Sequence, residues 1–144
     1  MPAHLTMLYP FVAPDRLSTT VREALAAAAA TQSPFDYRLA RRAAWPDTIY
    51  VAVEPVAPFV ALQAALAAAF PAFPIYGADA GFEFMPHVSI AEGHAIDDPA
   101  TTGDPGWATL PAERRAVALE VILQPRAERW RTIWRVPLGG RQRR

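Results

Sequence analysis

The sequence predicts an α+β fold built on a largely antiparallel sheet or sheets. Three observations carry this. Strand-like alternation dominates the chain, two alanine-rich helical stretches fall among the strands, and the connections are short and marked by proline. The predicted order is β–α–β–β–α–β–β–β. A chain of 144 residues accommodates one domain, or two small lobes sharing one core.

The elements follow in order. HLTMLYPF is an apolar run that fits a buried strand closed by Pro10. DRLSTTVREALAAAAAT places Leu17, Val21 and Leu25 at four-residue spacing among many alanines, which predicts a helix ended by Pro34. FDYRLARRAAW alternates, with Phe35, Tyr37 and Leu39 on one face and Asp36 and Arg38 on the other. TIYVAVEP is rich in β-branched and aromatic residues, and the turn at Trp45-Pro46-Asp47 makes these two an antiparallel pair. Pro58 opens a second helix with Phe59, Leu62, Leu66 and Phe70 on one side. A loop punctuated by proline and glycine, PAFPIYGADAGFEF, leads into the short strand PHVSIAEG. Asp97 to Pro111 is polar and turn-rich and predicts a surface loop. AVALEVILQ and WRTIWRVPL complete the strands, and residues 139–144, ending in RQRR, form a basic tail.

Composition narrows the chemistry. The formal charge is zero, so no global field draws in DNA, long RNA or a membrane surface. All 14 basic residues are arginine; arginine suits phosphate, but a chain so rich in Ala, Pro and Arg also fits a GC-rich coding bias. The absence of cysteine removes disulfides, thiolate zinc sites and a thiol nucleophile. No signal peptide or membrane span is legible, so a cytoplasmic protein is expected. Walker, GxGxxG, GxSxG and HExxH motifs are lacking, and His87, His94, Asp97 and Asp98 have no metal-ligand spacing. No cofactor and no metal is called for.

Two of the three histidines share one setting. His4-Leu5-Thr6 and His87-Val88-Ser89 each place a hydroxyl two residues after the imidazole. On a strand, residues i and i+2 share a face, roughly 6.5–7 Å apart. Leu5, Met7, Val88 and Ile90 would then pack behind. Serine and threonine make 12 of 144 residues, so two such matches among three histidines arise by accident on the order of 2% of the time. Two such strands facing each other would suit phosphoryl transfer without a metal. One neutral imidazole would take a proton, and the other, protonated, would give one, since histidine titrates near about 6.5. The hydroxyls would donate to the phosphate oxygens. His94 has no such partner and is assigned to the surface.

At these residues the chain resembles the two-histidine (2H) phosphoesterase superfamily, which contains the 2′-5′ RNA ligase-like proteins. PAHLTMLYPF and PHVSIAEG are similar to its two signature motifs, and PAFPIYG to the loop before the second. The resemblance implies a two-lobed, pseudo-symmetric domain over residues 1–138, with antiparallel sheets, outer helices and a central cleft. It implies His4 and His87 as the general acid–base pair and Thr6 and Ser89 as phosphate ligands. The implied activity is metal-independent opening of 2′,3′-cyclic phosphates, or related chemistry at 2′-5′ linkages, on a small nucleotide or an RNA end. The resemblance also implies a strand before the first motif, which here begins at residue 4. A start codon upstream, a partner copy supplying the strand in a homo-oligomer, or a degraded and inactive member would each account for that. The rival expectation is a non-catalytic module that binds phosphate or an RNA end.

Among other candidates, Tyr76 is favoured over Tyr9, Phe11 and Trp45 for stacking on a nucleobase. Arg41 and Arg42 are either solvated or within reach of a second phosphate.

Overall fold

The structure, a computed structural model, describes residues 3–78, 81–126 and 129–140. Residues 141–144 of the predicted basic tail lie outside these. Among the described residues are three helices, α1 (Thr19–Ala30), α2 (Ala57–Ala69) and the one-turn α3 (Pro99–Thr102). The strands are β1 (Phe35–Trp45), β2 (Thr48–Glu54), β3 (His87–Glu92), β4 (Ala112–Ala116), β5 (Ala118–Leu123) and β6 (Arg131–Pro137). An antiparallel sheet runs β3-β2-β1-β4, and β5 and β6 form a separate antiparallel ladder. The α+β class is therefore present, with one larger and one smaller sheet.

Local chemistry explains most of these bounds. Ser18 caps α1 by accepting the Val21 N–H at 3.3 Å, which satisfies one of the donors a helix leaves open at its start. Pro58 lies in the first turn of α2, where its missing N–H costs nothing. Pro46 and Asp47 alone separate β1 from β2, so the two strands pair directly from Trp45↔Thr48 onward.

Helix α2 places side chains in two buried clusters. Leu62 and Leu66 meet Leu25, Ala29, Val136 and Leu138 in one. Phe59 meets Val51, Val53 and Val88 in the other. Phe35 and Met7 pack against both clusters. In β1, Phe35, Tyr37 and Leu39 turn toward this core while Asp36 and Arg38 are exposed, as the alternation predicts.

Three expectations need correction. HLTMLYPF does not form a strand: none of residues 3–10 enters a ladder among the described residues. Leu5, Met7 and Leu8 are instead half-buried against the two clusters, Tyr9 is exposed, and the Tyr9 carbonyl accepts the Tyr76 N–H of a loop. A strand is defined by its partner, and hydropathy alone cannot supply one. Secondly, the stretch 97–111 is not unbroken loop, because it folds into short helical turns capped by Asp98 and Asp104. Thirdly, β4 is a strand beyond the predicted set. Its AERRA sequence has little apolar character because, among the described residues, it is an edge strand pairing only with β1.

Candidate active site

The second motif sits on edge strand β3, and its register decides which side chains share a face. His87 lies opposite Ala52, and Ser89 lies opposite Tyr50. Directly opposed residues in an antiparallel pair project to the same side. His87, Ser89, Ala52 and Tyr50 therefore share one face, while Val88 is buried on the other. The next residue departs from simple alternation. Ile49 pairs with Ala91 and Tyr50 with Ser89, so Ile90 is an extra residue in a bulge. Ile90 is 45% exposed, and Ala91 takes the buried place expected for it.

The His87 ring is held from several directions. Its Nδ1 lies 2.8 Å from the Met85 carbonyl oxygen. A carbonyl can only accept, so Nδ1 carries the proton and donates it. In the neutral ring this leaves Nε2 with an open lone pair. Trp45 meets the imidazole edge-on at 4.7 Å between centroids, and Tyr50 does so at 5.6 Å. Trp45 and Tyr50 are themselves stacked at 4.2 Å. The Tyr50 hydroxyl donates to Met85 Sδ at 3.9 Å, joining the residue that orients His87 to the aromatic wall beside it. Trp45 is thus packed against Tyr50 and His87. Nothing in the sequence signals the Met85 contact, since a backbone carbonyl has no residue signature.

The first motif approaches the same cluster from another part of the chain. Leu5 and Met7 pack on the group that contains Val88, the residue between His87 and Ser89. His4 and Thr6, the alternate residues, are half-buried. Tyr76 is exposed, adopts a positive φ of 55°, and donates its N–H to the Tyr9 carbonyl. Its ring meets Phe82 edge-on at 6.4 Å. The loop bearing Tyr76 is thereby tied to the segment bearing His4. His94 lies exposed in a helical turn over Gly93–Asp97.

Charged groups continue the His87 face across the sheet. Arg38 engages Glu54 through Nη2 at 2.6 Å and Nε at 3.1 Å, and Arg41 adds a contact at 3.2 Å. The hydrogen bond from Arg38, and then its charge, hold the Glu54 carboxyl below the usual range. The same pairing raises Arg38. Arg42 instead lies over the Trp107 ring at 5.2 Å. Among the described residues no group of three or more His, Asp or Glu side chains comes together as a metal centre would require. Nor is any described helix long and apolar enough to cross a membrane.

Comparison with known proteins gives this arrangement a family. The chain is similar in structure to TT0787 of Thermus thermophilus, with a TM-score of 0.69, 17% identity, and 96% of this chain and 79% of that one covered. It is similar also to E. coli LigT, solved in complex with 3′-AMP, with a TM-score of 0.57, 18% identity, and 95% and 77% covered. No curated protein matches the chain significantly. The sequence profile described as the 2′-5′ RNA ligase superfamily matches residues 1–121, and the chain, with its paired His-x-hydroxyl motifs, belongs to that superfamily.

Proposed function

We propose that the chain is a metal-independent phosphodiesterase that opens 2′,3′-cyclic phosphates, or acts on related 2′-5′ linkages, in small nucleotides or RNA ends. The observation that carries the proposal is the His87 Nδ1–H donated to the Met85 carbonyl at 2.8 Å. It supports the Nδ1–H tautomer, which leaves the Nε2 lone pair available for the proposed proton transfer. The nucleotide bound by LigT, a protein of similar fold, supports a nucleotide substrate. The proposed architecture is two lobes with His4 and His87 facing one cleft between them.

In the proposed reaction one histidine, neutral, takes a proton from water as its oxygen attacks phosphorus. The other, as imidazolium, gives a proton to the ribose oxygen that leaves. One P–O bond forms, one breaks, and the two rings exchange protonation states until solvent resets them. Thr6 and Ser89 donate to the non-bridging oxygens, where negative charge concentrates, and Tyr76 stacks on the base. Loss of either histidine should cost about 10²–10⁴-fold in turnover.

The test is hydrolysis of nucleoside 2′,3′-cyclic phosphates in EDTA by the wild-type chain and by His4→Ala and His87→Ala. Wild-type turnover that both variants lose is expected. Turnover abolished by EDTA alone would overturn the metal-free mechanism. The second reading, a binding module without catalysis, is favoured by one observation: residues 3–8 enter no ladder among the described residues, and catalytic groups need placement within about 0.5 Å. Nucleotide binding with no turnover by the wild-type chain would establish it.

A further inference from the structure

We propose that Arg41 forms a second anion subsite, taking the 5′-phosphate of the nucleotide whose 3′ end is processed at His87. This rests on the function proposed above and extends it to substrate choice. Arg41 pairs with Ala52, and Ala52 with His87, so one row crosses three strands. All three side chains project to the same face. With strands spaced about 4.8 Å apart, the Cα atoms of Arg41 and His87 are about 10 Å apart. Ala52, a methyl group between them, leaves the floor of the row low. A nucleoside laid over it has one phosphate toward the histidine and the other toward the guanidinium.

Arg41 also has capacity to spare. Its side chain is 66% exposed, and its contact with Glu54 is the longer of the two ion pairs that carboxylate makes. Arg38 donates two nitrogens to Oε2 of Glu54 and is the main cause of its lowered pKa, while Arg41 reaches Oε1 through Nη1 alone. Arg41 therefore keeps most of its five N–H donors for an anion, which it can grip in two-pronged fashion. Arg42 differs, because it projects to the opposite face and covers Trp107. The bulge at Ala40 sets this assignment, since Leu39 pairs with Val53 and Arg41 with Ala52.

The next row limits the substrate. Arg38 there lies between Glu54 and Glu113, so a third phosphate would meet carboxylates. Like charge rejects what attraction alone would admit. The face thus suits one additional phosphate rather than a long polyanion.

The test is calorimetric binding of adenosine 3′,5′-bisphosphate and adenosine 3′-monophosphate to the wild-type chain, Arg41→Gln and Arg42→Gln, with circular dichroism to verify folding. The wild-type chain should bind the bisphosphate about 10-fold more tightly, with a steeper salt dependence. Arg41→Gln should erase that preference and leave monophosphate affinity unchanged, whereas Arg42→Gln should retain it. Equal binding of the two ligands by the wild-type chain, no binding of the bisphosphate, or a preference that survives Arg41→Gln would overturn the subsite. The readout needs no turnover. An Arg41-dependent preference in a chain that hydrolyses nothing would refute the enzyme and keep the subsite; hydrolysis without the preference would do the reverse.

Discussion

His87 is confined by the Met85 carbonyl at Nδ1 and by Trp45 and Tyr50 at the ring. The carbonyl selects the tautomer, and the aromatic pair limits rotation about the side chain. Removing Trp45 should therefore damage the histidine without touching substrate. For Trp45→Leu we expect kcat to fall further than KM changes, and stability to drop by about 2 kcal/mol, less than for a fully buried aromatic because Trp45 is only half-buried. Nitrogen NMR of the neutral imidazole should show the Nδ1–H form in the wild-type chain and a mixture in the variant. An Nε2–H ring in the wild-type chain would contradict the proposed role. The i, i+2 spacing of His87 and Ser89 is legible in the sequence because strand alternation needs only neighbours. Their aromatic wall is not, because Trp45 reaches His87 from two strands away.

At the scale of elements, features with a local cause are legible in the sequence. Pro46-Asp47 marks the β1–β2 turn and Pro58 the start of α2, since proline acts on its own backbone. Features caused by a distant partner are not. The first motif has the pattern of a strand but enters no ladder among the described residues, and β4 lacks an apolar pattern because its polar residues suit an edge. The bulge at Ile90 belongs to the same group, and it changes what substitution should do. Simple alternation would make Val88 and Ile90 equivalent core positions. With the bulge, Val88 is 9% exposed and Ile90 45%. Val88→Ser should cost about 2–3 kcal/mol by leaving a cavity and an ill-paired hydroxyl among apolar neighbours. Ile90→Ser should cost under about 1 kcal/mol. Urea denaturation of the two variants checks the register directly, and equal losses would mean an unbroken ladder.

For the molecule as a whole, the two clusters that α2 joins also fasten the first motif. Leu5 packs on the cluster of Val88, Leu8 and Phe11 on the cluster of Leu66, and Met7 on both. Phe11 adds aromatic contacts to this packing, meeting Phe70 edge-on at 5.0 Å and Phe73 at 5.8 Å. With no ladder among the described residues, residues 3–12 are held largely by side-chain packing and by the Tyr76 N–H donated to the Tyr9 carbonyl, and local opening follows the weakest packing. Phe11→Ala should therefore loosen the segment that carries His4 and Thr6 while β3 keeps its hold on His87. The expected cost is about 3 kcal/mol. Hydrogen exchange should accelerate over residues 3–12 far more than over β1 and β2. Turnover of the cyclic phosphate should fall while the His87 tautomer stays that of the wild-type chain. Uniform acceleration across both sheets would show instead that the segment and the core open together, with the first motif an integral part of the fold rather than an attachment to it.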